Sequence, residues 1–366
     1  MAGLTALFMA IRFAFVLEAA GTKPGWEAQW EKSVAAAKQE GQVVIYGNRS
    51  SADVVSAGGF QKVYPGIKVV TVSLGGAQAM QRLMAERRAG KYLADLFIGG
   101  SNTPVVMYQA ESLDPIKSAL ILPEVLDESK WWEGKHRYID PQREYIFMYL
   151  GHPQRGNVSF NTKLVNPKEF TSFWDFLQPK WKGKIEARDF RGGGAGQQNM
   201  RFFYYNPELG PKFIKRLFSE MDITLFRDTR QSIDWLATGR FAICFFCYDI
   251  DLQRAQQQGL PVNEFGYMRE GVALTSQSGT LSVVNKAPNP NAAKVFVNWF
   301  LSREGQLVAQ KVQANSLRVD IPKDMLPPSD RLMDGAKYVE IETPDRMSMG
   351  PVIRVFEEAL AEAKKK

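Results

Sequence analysis

Residues 42–101 read QVVIYGNRSSADVVSAGGFQKVYPGIKVVTVSLGGAQAMQRLMAERRAGKYLADLFIGGS, and their periodicity decides the fold. Gln42 to Tyr46 is a short, almost wholly apolar run, which predicts a strand covered on both faces. Gly47-Asn48-Arg49-Ser50-Ser51 follows, and then a helical stretch to about Tyr64. Pro65-Gly66 makes a turn into a second strand, Ile67 to Val72. Gly75-Gly76 opens a helix over 77–89 that stops at Gly90. The third strand, Ala94 to Ile98, runs out into Gly99-Gly100-Ser101. Strands alternating with helices through short loops mean a parallel sheet with helices on both faces.

Upstream, residues 26–40 carry Trp26, Trp30, Val34 and Ala37 at spacings of three and four, an amphipathic helix ended by Gly41. Downstream, Tyr145 to Leu150 is extended, and Asn157 to Asn161 reads as a connecting strand. A second α/β unit begins with Lys184-Ile185-Glu186-Ala187, which runs into Asp189-Phe190-Arg191-Gly192-Gly193-Gly194. Residues 232–248 give a helix, a turn at Gly239 and a buried strand ending at Tyr248-Asp249. Residues 272–284 read as strands, and Asn291 to Phe300 as a helix capped by Asn289 and Pro290. With 366 residues the chain exceeds one ordinary core, so two lobes are expected. No Pro/Gly/Ser linker separates the halves, which points to extended crossing segments and closure about a hinge.

Composition narrows the chemistry. Hydrophobic residues make up 45% and charged residues 23%, ordinary for a globular chain. The net charge of +7 favours anionic partners, but the cations are scattered and no nucleic-acid-binding motif accompanies them. Cys244 and Cys247 lie within an apolar run that reads as one strand, where positions i and i+3 face opposite ways. The expectation is therefore two buried, unpaired cysteines. With only His136 and His152 besides, no His/Cys metal cage is expected. Residues 4–17 are apolar apart from Thr5 and Arg12, so residues 1–25 are read as a degenerate signal peptide or an N-terminal extension.

In open α/β sheets, solutes bind beyond the carboxyl ends of strands, where helix N-termini present unpaired N–H groups. Four loops qualify: Asn48-Arg49-Ser50-Ser51, Gly99-Gly100-Ser101, Arg191-Gly192-Gly193-Gly194, and Tyr248-Asp249. The glycines admit close backbone approach and the two arginines favour an anion. A Rossmann-like enzyme is the competing reading of the glycine run. It lacks the G-x-G-x-x-G spacing with a later acidic residue, and no Walker A or G-x-S-x-G motif is present. No catalytic residue and no cofactor is expected.

In order and spacing, several segments are similar to one family. They are 35–41 (AAAKQEG) before Val43-Val44-Ile45-Tyr46, 60–69 (FQKVYPGIKV), 85–90 (AERRAG) before Ala94-Asp95-Leu96, 181–185 (WKGKI), 287–294 (APNPNAAK) and 301–306 (LSREGQ). Together they resemble the extracellular solute-binding proteins of ABC importers, in the branch that includes ferric-ion receptors, from Trp26 to about Asp320. The resemblance implies an α/β, two-lobed, type II periplasmic-binding-protein-like fold with crossing hinge strands. Lobe 1 would be 26–150 plus 265–320, and lobe 2 would be 151–264 plus 321–366. It also implies a monomeric, soluble periplasmic receptor that delivers a small solute to an inner-membrane ABC permease. Ferric receptors of this branch use adjacent tyrosines where this chain has Phe245-Phe246-Cys247-Tyr248, and Tyr204-Tyr205 falls in a helix. An anionic organic solute or oxyanion is therefore expected, with ferric iron as the alternative.

Overall fold

The computed structural model describes residues 25–154, 158–192, 195–247, 249–312 and 315–365, so the expected signal segment falls almost entirely outside it. Strands β1 (Gln42–Gly47), β2 (Lys68–Ser73) and β3 (Leu96–Gly99) pair in parallel in the order β2-β1-β3. β1 and β3 are apolar because helices cover both their faces, whereas β2 alternates exposure as an edge strand does. Short strands β4 (Leu113–Asp114), β5 (Arg137–Tyr138) and β6 (Phe147–Met148) extend this first sheet.

The chain then leaves through β7 (His152–Gln154) and builds a second sheet. Its strands are β8 (Val158–Asn161), β9 (Ile185–Arg188), β10 (Thr224–Phe226), β11 (Ile243–Phe245) and β12 (Val262–Glu264), ordered β10-β9-β11-β8-β12. It returns through β13 (Val272–Thr275), antiparallel to β7, and inserts β14 (Thr280–Val284) between β3 and β6 of the first sheet. A third crossing, β15 (Tyr338–Glu340), pairs parallel with β13. The connecting strand expected at residues 157–161 lies instead inside the second sheet as β8; β7, β13 and β15 form the hinge.

Two cores match the two sheets. The first gathers Ile45, Ile98, Phe147, Leu281, Phe296 and Phe300. The second is phenylalanine-rich, with Phe173, Phe176, Phe203 and Phe245 in edge-to-face and tilted contacts. The C-terminal helix Gly350–Ala363 closes the second core by setting Phe356 4.7 Å from both Phe190 and Phe218. This is the expected two-lobed α/β fold with crossing hinge strands.

One expectation is overturned. Cys244 and Cys247 form a disulfide, with Cα atoms 6.0 Å apart. Strand alternation would have separated them, but β11 ends at Phe245 and Phe246 takes a φ of +65°. That left-handed residue turns Cys247 back over the strand end.

Candidate functional site

The carboxyl ends of β1 and β3 meet at one cleft. Asn48 caps the helix Arg49–Ser56, its Oδ1 accepting from the Ser51 N–H at 2.9 Å. Its Nδ2 donates to Ser278 Oγ at 2.8 Å, tying this loop to the segment between β13 and β14. Ser51 is buried and donates to the Ile98 carbonyl at 2.9 Å. Beyond β3, a Cβ on Gly100 would lie 2.9 Å from the Gln277 carbonyl, so the close approach of these two loops requires glycine. A Cβ on Gly76 would lie 2.4 Å from Thr103 Oγ1, and its absence lets the helices Gly76–Arg88 and Asn102–Gln109 start side by side.

The resulting cleft has a volume of about 670 Å³. Lobe 1 contributes Asn48, Gly76, Ala77 and the run Gly99 to Thr103, which includes Asn102. The second lobe contributes Gln198, from the first turn of the helix Ala195–Tyr205. The crossing segments contribute Gln277 and Glu342. Residues at three helix N-termini thus face one space, a concentration of partial positive charge, and Gln198 adds a side-chain amide from the other lobe.

Glu342 is the one ionisable side chain among the described lining residues. It is 5% exposed and accepts from the Ser276 N–H at 2.8 Å. Burial pushes its pKa up, against the pull of Ser276, the buried Arg201 guanidinium and Ser101. Burial likewise lowers the pKa of Arg201, whose Nη1 donates to Met347 Sδ at 2.8 Å.

Of the residues singled out from sequence, Asn48, Gly99, Gly100 and Ser101 line the cleft, and Ser51 lies behind it as support. Arg49 is exposed at the start of its helix and does not line the cleft; Ser50 is described for its backbone alone. Arg191 is turned to its own neighbour: its Nε and Nη2 donate to the two oxygens of Asp189, both at 2.8 Å. That fork, led by the Arg191 hydrogen bonds, holds the Asp189 carboxyl down at about 2. The Arg191 guanidinium lies over Phe356, 5.5 Å from the ring centre. Gly192 ends the short turn Phe190–Gly192. Gly193, Gly194 and Tyr248 fall outside the described residues, and Asp249, first in the helix Asp249–Gln257, is described for its backbone alone.

Gln198, Gln277 and Glu342 were not anticipated. The polar run Thr275 to Gly279 between two strands was the available signal for Gln277, whose φ is +48°. Arg191→Ala is expected to lower stability by about 1 kcal/mol, since the ion pair is partly screened. Solute affinity should stay within about twofold, because exposed charges contribute little. Calorimetric titration beside a thermal melt checks this, and a much larger loss of affinity would put the guanidinium on the solute.

Residues 44–307 match the family described as bacterial extracellular solute-binding protein. Over 263 residues the chain is 24% identical to an uncharacterised protein of Haemophilus influenzae, covering 69% of this chain and 70% of that one. Among solved structures, the Trichodesmium protein IdiA (FutA), in complex with iron and citrate, superposes with a TM-score of 0.60 at 18% identity, over 89% of this chain and 99% of that one. AfuA of Actinobacillus pleuropneumoniae, with fructose-6-phosphate bound, gives 0.54 at 18% identity, over 89% and 99%. At such identities the likeness establishes the fold, and the solutes belong to those proteins.

Proposed function

This chain belongs to the bacterial extracellular solute-binding proteins, and on that premise we propose that it closes its two lobes on a small anionic organic solute. It is the binding receptor of an ABC transporter and not an enzyme; its partner is a membrane permease. No helix of the described residues is long and apolar enough to cross a membrane. We further propose that it acts outside the cytoplasm as a monomer.

The observation that carries the anionic reading is the convergence of helix starts on one cleft. Asn48, Gly76-Ala77 and Ser101-Asn102 bring three from lobe 1, and lobe 2 adds the side-chain amide of Gln198. Backbone N–H groups there hold an anion without a full countercharge. The buried Glu342 carboxyl, with Gln198 and Gln277, suits hydroxyl groups on the same solute. A phosphorylated or carboxylated polyol meets both demands, and AfuA, of the same fold, has fructose-6-phosphate bound. Contacts to both lobes are complete only in the closed form, so the solute shifts the population toward closure. Ferric iron, bound with citrate in the Trichodesmium protein, is the second reading. A ferric centre wants several anionic oxygens, and the described lining offers one carboxyl, Glu342.

A thermal-shift panel of phosphate, phosphonates, sugar phosphates, carboxylates, ferric citrate and polyamines tests this. One anionic class at a hundredfold over its Kd should add about 2.7 kcal/mol to folding stability. Ala77→Asp puts a carboxylate into the first turn of its helix, where the fold accepts it and a bound anion does not. That variant should melt like the wild type and lose the response; a retained response would move the site elsewhere. A shift with ferric citrate alone would favour the second reading.

A further inference from the structure

Lobe 2 holds a second group of donor atoms away from the cleft. Glu186 on β9 and Cys244 on β11 are register partners in a parallel pair, and Phe246 turns Cys247 back toward them. One donor atom from each of the three lies within 4.8 Å of the other two. Glu186 has no exposed surface, and neither of its carboxyl oxygens has a hydrogen-bond partner. The walls are Phe226, Ile233, Leu236, Leu252 and Val262. Arg240 is the charge that bears on Glu186, but its guanidinium stacks over Trp235 at 4.3 Å. Burial raises the Glu186 pKa to about 8.

A buried carboxyl without partners calls for an explanation. While the disulfide is closed, its sulfurs have no protons to donate. Once it is opened, two S–H groups, or one cation bound by two thiolates, lie within reach of the same carboxyl. We propose that Glu186, Cys244 and Cys247 form a metal site that becomes available on reduction of the disulfide and takes a thiophilic divalent cation of the zinc type. Two thiolates and one carboxylate are a donor set that zinc accepts. The Ser232 hydroxyl, 3.6 Å from Cys247 Sγ, stands next to the same space. A surface depression of about 300 Å³ lies between the helices Thr229–Thr238 and Asp249–Gln257, which pack on the same apolar cluster. It is lined by Ile233 and Ala255 of the same apolar cluster and by two acids and two bases, Asp234, Asp251, Arg230 and Arg254, the last paired with Asp251 at 3.7 Å.

The chemistry balances with a dithiol reductant. The reductant supplies two electrons and two protons, the S–S bond breaks, two S–H bonds form, and the reductant closes into its own disulfide. The cation then displaces both thiol protons and the Glu186 proton, so its affinity rises with pH.

The test uses the full chain, reduced with a dithiol, desalted without oxygen, and titrated with cobalt(II) alone and with zinc(II) alone. The reduced protein should take one cobalt per chain, with thiolate-to-cobalt charge transfer in the ultraviolet and the visible bands of a tetrahedral site. The oxidised protein should give neither signal. Glu186→Gln should weaken binding at least tenfold, and Cys247→Ser should abolish the charge-transfer band. Circular dichroism follows the fold throughout. A folded, reduced protein that binds neither cation would overturn the proposal, as would an unchanged affinity in Glu186→Gln. Unfolding on reduction would also overturn it, because the site needs an intact lobe. None of these outcomes touches the solute cleft, whose thermal-shift panel is read on the oxidised protein.

Discussion

Between pH 5 and pH 8 the oxidised protein is expected to lose roughly 3–4 kcal/mol of stability through Glu186 alone, and Glu186→Gln is expected to recover it. The carboxyl is wholly buried and its pKa is raised by burial from 4.5 to about 8. Below 4.5 both the folded and the unfolded chain carry the proton, and the group is neutral toward folding. Between the two values the unfolded state gives up its proton while the folded state keeps it. Stability therefore falls as pH rises, by about 1.4 kcal/mol per pH unit, until the folded pKa is passed. Glu342 and Asp95 are shifted in the same direction, also mainly by burial, and add slope of the same sign. The difference between wild type and variant isolates Glu186. Urea unfolding curves for the two should nearly coincide at pH 5 and diverge by pH 8, the variant being more stable. Parallel curves across that range would sink the assignment.

The second large effect is at Asp95, where Asp95→Ala is expected to cost about 3–5 kcal/mol, from three buried or half-buried donors left without an acceptor. Its Oδ2 accepts from the Val44 N–H on β1 at 2.7 Å and from Asn289 Nδ2 at 2.9 Å. Its Oδ1 accepts from the Asn289 N–H at 2.7 Å. One carboxylate thereby fastens the first sheet to the start of the helix Pro290–Leu301, which is buried along most of its length. Asp95→Asn keeps one carbonyl oxygen and should recover part of the loss. Chemical unfolding decides it: a cost below about 1 kcal/mol for Asp95→Ala would mean that water replaces the lost acceptor.

Asp95 also marks how much could be read from sequence. Ala94-Asp95-Leu96 is one of the segments that carries the family resemblance, and the structure gives it an architectural task. The first three strands and their loops were legible because each is a local pattern, an apolar run followed by small polar residues. Asn48 and Gly99 to Ser101 reach the cleft for that reason. Gln198, Gln277 and Glu342 were not legible, because the cleft is assembled from segments that meet only after the chain has crossed the hinge three times. Arg191 stood in a loop of the expected kind, but Asp189, two residues before it, neutralises its charge locally. The cysteine pair was misjudged because alternation holds only while a strand continues, and Phe246 ends it with a left-handed backbone that a bulky residue rarely adopts.

The position of β14 has a further effect, on when this protein can fold as it is made. Thr280 bonds to Gly99 from 181 residues away, so an interior strand of the first sheet arrives after every strand of the second. The second lobe in turn waits for the helix Gly350–Ala363 that completes its core. A nascent chain therefore cannot finish either lobe until nearly all of it has been synthesised, and pairings so distant in sequence form slowly. For a member of an extracellular family that delay is useful, since it holds the chain in an unfolded, export-ready state for longer.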